Sequence, residues 1–284
     1  MSHLLHPEYI RSIPVLGDRT ARWLEQRVAE TLTDNPADDP PVSVVIRAYN
    51  EATTLRSLME DLTKQQIPPA EIIVVDNEST DNTREVAQEY GAKIVTIRKE
   101  EFTYARSMNM GMEAATHDAV FLAVGHTLLS STLTLHAGAR HFKSGDKVGC
   151  VFYYAMPSNH ASAMEKVTAW LSPLTANHAK AIPKLGLGLA ATGAMFSKSV
   201  WEALGKFDER YETGGEDTVL ARAMLNSGYD VICDPAIAVH HSHGETVWQF
   251  MKTQMGYYRI VNGNPQQLNK DALTERQNRL KDQQ

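Results

Sequence analysis

The sequence lacks the features typical of disulfide-rich, membrane-spanning and nucleic-acid-binding proteins. It contains only two cysteines, Cys150 and Cys233, and both lie in apolar stretches typical of buried strands, so we expect reduced thiols and no disulfide. It has no run of about 20 consecutive apolar residues and no basic-then-apolar leader, which predicts a cytoplasmic protein without a transmembrane segment. The formal net charge of −6 provides no broad basic surface, so nucleic acid is not an expected partner.

The composition is that of a folded globular protein. Hydrophobic residues make up 43% of the 284 positions and charged residues 22%, enough for one large core or two modest ones, which excludes the disordered and fibrous classes. The breaker-rich stretch 35–41 is expected to separate an N-terminal extension, residues 1–40, from the main domain. Residues 261–284 are predicted to form a polar, solvated tail.

Apolar runs of strand length alternate with segments of helical spacing in the first half of the main domain. Apolar residues recur at helical spacing after Asn50, a predicted N-cap, and residues 79–90 predict a second helix that ends at Gly91. The runs predicted as strands are 42–46, 72–75, 93–97, 118–124 and 148–154. This alternation predicts an open α/β fold with a parallel sheet and flanking helices.

The second half is less regular. The prolines and glycines of residues 157–188 predict a mobile segment that covers the site, followed by an apolar run over 189–196. A helix is predicted to begin at Glu216, a strand lies around Val231, and residues 246–260 form an amphipathic helix that we expect to pack against its own domain.

Polar residues follow three of the predicted strands, at 47–51, 76–81 and 125–126. In an open α/β sheet, ligands bind beyond the carboxyl ends of the strands, so we expect these segments to converge. Asp76 has two interpretations. Residues 76–81 have the composition of a helix-capping turn, but an acidic residue at this place also accepts hydrogen bonds from a ribose or a base. We expect its carboxylate to face solvent until such a ligand binds.

Two segments, PVSVVIRAYNE (41–51) and EIIVVDNESTDNT (71–83), resemble the opening of family 2 glycosyltransferases with the GT-A fold. The similarity continues, in the family's order and spacing, through YARSMNMG (104–111), TG (192–193), GKFDE (205–209), GGED (214–217) and HHSH (240–243). It covers a domain over residues 41–260. The resemblance implies a Rossmann-like open mixed sheet flanked by helices, and an inverting hexosyl- or deoxyhexosyltransferase of glycan biosynthesis that moves a sugar from a nucleotide-diphosphate donor to an acceptor hydroxyl.

The resemblance also implies the residues of the site. Those assigned to the nucleotide-sugar donor are Ala48, Tyr49, Glu51, Asp76, Arg106 and Gly193. Asp217 is implied as the catalytic base, with Glu216 beside it, because a carboxylate at the start of a helix stays ionised and fixed in direction. The alternative is that both carboxylates only complement the dipole of their helix. The preceding Gly214 and Gly215 favour the base, since they permit close approach of a ligand.

The metal site is where the chain departs from the family. Members normally carry an Asp-x-Asp motif whose last carboxylate binds Mg²⁺ or Mn²⁺, whereas this chain has Val124, Gly125 and His126. The resemblance therefore places His126 at the metal position and a second ligand at His243. His241 alternates with His243 along an extended segment, so both side chains are expected to face the cleft. The expected cofactor is a divalent metal, Mn²⁺ or Mg²⁺.

Two other classes fit a similar sheet. A non-catalytic nucleotide-sugar binding protein would explain the missing Asp-x-Asp carboxylates, and a sugar nucleotidyltransferase would activate sugars instead of transferring them. The latter usually begins with a glycine-rich, basic phosphate loop, which is absent near Arg47. The expected partners of a transferase are the nucleotide-sugar donor and a glycan, lipid-linked or small-molecule acceptor; a homo-oligomer stays an open alternative.

Overall fold

The computed structural model describes residues 33–129, 131–143, 147–156, 193–212, 214–240 and 248. Within them, one eight-stranded mixed sheet has the strand order β3-β2-β1-β4-β7-β6-β8-β5. The strands are β1 (Val42–Ala48), β2 (Glu71–Asp76), β3 (Lys93–Thr96), β4 (Ala119–Val124), β5 (Leu128–Leu129), β6 (Val148–Met156), β7 (Ala194–Ser197) and β8 (Asp230–His240).

Helices cover both faces of this sheet. They are α1 (Ala52–Thr63), α2 (Thr83–Glu89), α3 (Tyr104–Ala114), α4 (Thr134–Ala139), α5 (Lys198–Ala203) and α6 (Glu216–Asn226), with short 3₁₀ helices at Pro36–Asp38, Lys99–Glu101 and Arg140–Phe142. No helix in the described part of the chain combines the length and apolar character that crossing a bilayer requires.

Successive side chains of each strand enter two different cores. In β1, Val45 packs in a core with α3, α5 and α6, whereas Val44 and Ile46 pack in a core with α1, α2 and α4. Both cores are predominantly apolar along the central strands, as expected for a sheet buried on both sides. The same alternation directs the polar side chains at the strand ends, so that Arg47 faces the layer of α3 and α6 and Asp76 faces that of α1 and α2.

The parallel half of the sheet confirms the sequence prediction. β1 pairs in parallel with β2 and with β4, and β2 pairs in parallel with β3. The second half differs, because β7 inserts antiparallel between β4 and β6. Cys150 is fully buried in β6, in agreement with its apolar surroundings. The predicted segment 157–188 lies outside the described residues, as does the predicted helix 246–260 apart from Trp248.

The Pro- and Asp-rich stretch before β1 packs against the domain through charged contacts. The side chain of Asp39 is almost completely buried and accepts a hydrogen bond at 2.6 Å from Nδ1 of His136, while Nζ of Lys143 lies 2.9 Å from its other oxygen. Asp34 pairs with Arg140 at 3.5 Å. The boundary between an N-terminal extension and the main domain at residue 40 stays a prediction, but residues 34–39 pack against the α4 side of the domain.

Candidate active site

The predicted convergence of the strand ends is present in the structure. Ala48 is in register with Asp76 on β2, and Arg47 with Val124 on β4. Beyond the strands, the backbone N–H of Gly125 donates to the carbonyl of Arg47 at 2.9 Å. The segments after β1, β2 and β4 therefore meet at one edge of the sheet, which brings Ala48, Asp76 and His126 into one region.

The loops after β1 and β2 are tied to each other by side-chain hydrogen bonds. Asn50 has a positive φ of 53° and does not cap α1, whose N-cap is Glu51; the predicted cap is wrong. Instead, the Asn50 side chain extends toward the loop after β2, where its Oδ1 accepts a hydrogen bond from the N–H of Thr80 at 2.7 Å. The N–H of Glu51 in turn donates to Oγ1 of Thr83 at 2.8 Å. These bonds hold the two loops in a fixed geometry before any ligand arrives.

Asp76 is completely buried, so the expectation that its carboxylate faces solvent is wrong. The main-chain N–H of Ser79 lies 3.3 and 3.4 Å from its two oxygens, and a guanidinium nitrogen of Arg84 lies 3.5 Å from Oδ2. The carboxylate thus shapes the turn after β2. All three of these contacts are long for hydrogen bonds.

Glu51 and His126 form a side-chain pair at this edge. The Glu51 carboxylate is in hydrogen-bonding contact with Nδ1 of His126, across from the end of β4 to the start of α1. Gly125 makes this pairing feasible, because a Cβ at that position would overlap the Glu51 carboxylate. A carboxylate that holds one ring nitrogen of a histidine is the usual support for a metal-binding imidazole.

Aromatic rings flank the end of β1. Tyr49 is half exposed, and Nζ of Lys99 lies 5.0 Å from the centre of its ring. The Arg47 guanidinium lies 4.5 Å from the centre of the Tyr104 ring. Arg47 and Lys99 were not assigned a role from the sequence. Arg47 could have been found from the sequence, because it is a basic residue at the end of a central strand, where ligands bind. Lys99 could not, because only the tertiary fold brings it near Tyr49.

The N-terminus of α6 carries two buried carboxylates. Gly214 and Gly215 precede it with φ of 117° and 94°, in the left-handed region that favours glycine. Oδ1 of Asp217 accepts from the N–H of Thr218 at 2.6 Å. Glu216 is more deeply placed, and its Oε2 has no hydrogen-bond partner. Burial, together with the charge of Asp217, raises the pKa of Glu216 to about 8, although Arg47 acts in the opposite direction.

Arg106 and Gly193 are placed mainly by structural contacts. Nitrogens of the Arg106 guanidinium lie 3.5 Å from Glu209 and 3.9 Å from Glu101. Gly193 directly precedes β7 and has a φ of 102°. Its N–H donates to the Leu122 carbonyl of β4 at 2.9 Å, so it extends the pairing of β7 with β4. A Cβ there would overlap Val239. Neither contact pattern by itself identifies a donor-binding role.

The metal ligands expected at His241 and His243 lie outside the described residues. Among the residues that are described, no group of three or more His, Cys, Asp and Glu side chains is arranged to hold a metal ion. What these residues do provide is one imidazole oriented by a carboxylate, His126 with Glu51, a donor set suited to transition ions. The described part of the site therefore offers one possible metal ligand, His126, and the carboxylate that orients it, Glu51.

Comparison with known proteins agrees with this architecture. The family model described as glycosyl transferase family 2 matches residues 43–205. The O-antigen chain rhamnosyltransferase WbaN of Salmonella anatum is 26% identical over 223 residues, which is 73% of this chain and 68% of that protein.

Two solved structures have a similar fold. The mannosyltransferase PcManGT from Pyrobaculum calidifontis, in complex with GDP-Man and Mn²⁺, superposes with a TM-score of 0.59 at 19% identity, covering 88% of this chain and 72% of that one. Glucosyl-3-phosphoglycerate synthase from Mycobacterium tuberculosis, in complex with Mn²⁺, UDP and phosphoglyceric acid, gives 0.57 at 16% identity, covering 84% and 81%.

An open mixed α/β sheet with polar loops at the ends of β1, β2 and β4 defines a GT-A type fold. The chain belongs to glycosyl transferase family 2 and is a glycosyltransferase.

Proposed function

We propose that this glycosyltransferase moves a sugar from a nucleoside-diphosphate donor to an acceptor hydroxyl with inversion, and that Asp217 is the general base. The observation that carries the proposal is the position of Asp217 in the first turn of α6, behind two glycines of positive φ. Backbone N–H groups and the helix dipole favour its ionised form there. A fixed carboxylate of this kind is suited to accept a proton from a bound hydroxyl group.

The proposed reaction is a single displacement at the anomeric carbon of the donor sugar. The acceptor oxygen attacks the anomeric carbon from the side opposite the diphosphate, and its proton passes to the Asp217 carboxylate. The bond between the anomeric carbon and the phosphate oxygen breaks, and the nucleoside diphosphate leaves with the bonding electron pair.

The donor is proposed to occupy the edge formed by the ends of β1 and β2. The half-exposed ring of Tyr49 offers a stacking surface for the nucleotide base, and the buried Asp76 accepts a hydrogen bond from the base or ribose. Ala48 and Glu51 complete this part of the site. Arg106 and Gly193 are proposed to contribute from the donor side, in addition to their structural contacts.

A divalent metal, Mn²⁺ or Mg²⁺, is proposed to bind through His126, with Glu51 as the group that orients the ring. His243 is proposed as a further ligand from the segment beyond β8, and His241 is the second choice there. When bound, such an ion offsets the negative charge of the leaving diphosphate. Manganese complexes of the two structural neighbours support the presence of a metal in this type of fold.

The transferred sugar is proposed to be a deoxyhexose such as rhamnose, and the acceptor a glycan under construction. The name of the Salmonella anatum relative supports this choice. We also propose a cytoplasmic location, since nucleotide sugars are made there.

A thermal-shift screen tests the donor proposal. Nucleoside diphosphates and their sugars are added with and without Mn²⁺, and a ligand present at 100 times its dissociation constant should add about 2.7 kcal/mol of stability. Selective stabilisation by one donor family, followed by release of its diphosphate only when an acceptor is present, is the expected result. Stabilisation without any turnover would instead indicate a non-catalytic binding protein.

A further inference from the structure

Arg47 is the charged residue of strand β1, and its side chain is half-buried at the carboxyl end of that strand. The guanidinium lies 4.5 Å from the centre of the Tyr104 ring and 5.9 Å from the centre of the Phe102 ring. Aromatic rings at these distances attract a guanidinium and help to hold it in one orientation. The function proposed above gives this ordered cation no role.

The first turn of α6 lies at the same edge and on the same face of the sheet as Arg47. Strands β1, β4, β6 and β8 run in one direction, because β7 is antiparallel to both β4 and β6. Helix α6 leads into β8 through residues 227–229, so it runs against the strands and begins at their carboxyl edge. Its Leu220 shares a core with Val45, which has the same orientation in β1 as Arg47. This topology brings Glu216 and Asp217 to the side of the sheet that Arg47 faces.

The two carboxyl groups of this turn are adjacent and buried. Neighbouring negative charges disfavour each other, and burial disfavours both. Burial and the charge of Asp217 raise the pKa of Glu216 to about 8, whereas Arg47 acts in the opposite direction. Without a cation, such a pair would hold its protons to higher pH, and a protonated carboxyl group is not able to accept the proton of a hydroxyl.

The other elements packed against α6 bring no further charge to this turn within the described residues. The side chains of β6 and β8 in the shared core are apolar: Cys150, Phe152 and Val231. The loop 204–210 lies along later residues of α6, around Val219 and Ala223. Its charged side chains have ion-pair partners of their own: Arg210 with Asp208, Lys206 with Glu113, and Glu209 with Arg106.

We propose that Arg47 is a positioning residue for the base, whose guanidinium, ordered on the Tyr104 ring, keeps Asp217 ionised beside Glu216 and so able to accept the proton of the acceptor hydroxyl. This inference rests on the proposed function. Arg47 acts through Asp217 and takes no part in the proton transfer itself. Lysine at this position would keep the charge, and methionine would keep a long apolar stem without it, so the two substitutions separate charge from packing.

The pH profile of kcat tests the inference. Wild type, Arg47→Met and Arg47→Lys are compared with Arg56→Met, which removes an arginine from an exposed ion pair with Glu89. The donor is the nucleotide sugar that stabilises the wild type, the acceptor is a methyl glycopyranoside, and both are saturating in the presence of Mn²⁺. Arg47→Met should move the acid-side midpoint of the profile upward by about 1 pH unit, a rate loss of about 10-fold below the midpoint that shrinks at high pH. Arg47→Lys should restore most of the midpoint, and Arg56→Met should keep that of the wild type.

Urea unfolding provides a second measurement, which needs no acceptor. The free energy of unfolding lost in Arg47→Met should be larger at pH 8 than at pH 5, because ionisation of the carboxyl pair leaves more negative charge without its cation. Tyr104→Leu removes the ring that orients the guanidinium and should move the kcat midpoint in the same direction by a smaller amount. Because the Tyr104 ring is partly exposed, this variant provides the test if Arg47→Met does not fold.

A rate loss in Arg47→Met that is equal at every pH, with an equal loss of stability at pH 5 and pH 8, would overturn the inference and assign Arg47 to packing. An unmoved midpoint in folded Arg47→Met, or in Tyr104→Leu if Arg47→Met does not fold, would overturn it as well. Both results leave the proposed function intact. That function fails instead if the wild type transfers sugar to no acceptor or if Asp217→Asn keeps the wild-type rate, and the inference then fails with it.

Discussion

The imidazole of His126 is in hydrogen-bonding contact with the carboxylate of Glu51. The two residues lie 75 positions apart, one after β4 and the other before α1, and they are joined only where the parallel strands end side by side. The contact fixes which ring nitrogen faces the carboxylate. It gives the site a carboxylate-supported imidazole at the end of β4.

The Glu51–His126 pair leads to a prediction about metal preference. Mg²⁺ prefers oxygen ligands, whereas imidazole suits later divalent ions, so Mn²⁺ or another transition ion should support transfer better than Mg²⁺. His126→Ala should abolish most of this metal dependence, and Glu51→Gln should weaken metal affinity about 10- to 100-fold, as loss of a supporting carboxylate typically does. The measurement is titration of Mn²⁺ into protein saturated with nucleoside diphosphate, with His117→Ala, at the opposite edge of the sheet, as control.

Full transfer activity in EDTA would rule out this metal hypothesis. A metal requirement that neither His126→Ala nor His243→Ala changes would mean that the ligands lie elsewhere. Re-addition of single metals to the EDTA-treated wild type distinguishes these outcomes.

Asp76→Asn is predicted to weaken nucleotide binding about 10- to 100-fold, the loss expected when a charged acceptor becomes a neutral one. Asn is preferred to Ala because Asp76 is buried and holds the turn to Ser79, so truncation would also disturb the loop. Calorimetric titration with the preferred nucleotide measures the change. Asp118→Asn, at the opposite edge of the sheet, provides the control, and equal affinity in folded Asp76→Asn would remove Asp76 from the site.

Glu71 supplies a test of stability that is independent of the active site. Although partial burial opposes ionisation, hydrogen bonds from Ser43, Thr116 and His117 lower the pKa of Glu71 from 4.5 to about 2. Its folded pKa is below its unfolded one, so it stabilises the fold above about pH 4.5, and the contribution is lost as pH falls toward 2. Glu71→Gln should cost about 1–3 kcal/mol at pH 7. Urea unfolding at pH 7 and pH 3 measures it; an equal cost at both would contradict the assignment.

Glu216 is predicted to have the opposite pH dependence. Its pKa is raised by burial and by Asp217, so the wild type should lose stability as pH rises from about 4.5 to 8, while Glu216→Gln, which does not titrate, should lose less. Unfolding free energies at pH 5 and pH 8 provide the comparison. Parallel pH profiles for the two proteins would show that Glu216 is ionised in the folded state.

The parallel half of the fold could be predicted from sequence because its signals are local. The apolar runs of β1, β2 and β4 are continuous and end in polar residues, and α1 has clear helical spacing. The antiparallel insertion of β7 could not be predicted, since strand order depends on contacts between distant segments. β5 and α4 were missed because they are only two and six residues long.

Within the site, residue types were easier to predict than their contacts. Asp76 and His126 were placed at the correct edge because both follow buried strands. The burial of Asp76 and the side chain of Asn50 reaching Thr80 depend on the packing of two loops, which no local pattern encodes. Pairing of Glu51 with His126 is equally non-local. Gly125 is the sequence feature that relates to this pairing, because a side chain there would overlap the Glu51 carboxylate, but that reason is visible only in the folded structure.

The central claim is that Asp217 removes the proton from the acceptor hydroxyl, and Asp217→Asn tests it most directly. The amide keeps the shape of the side chain and loses its basicity, so donor Kd should stay within about 2-fold while turnover falls by about 10²- to 10⁴-fold, as is typical of a lost general base. The measurement is the initial rate of sugar transfer at saturating donor, beside donor affinity by calorimetry for the same preparations. A rate close to that of the wild type would contradict the account, because the base would then be another residue.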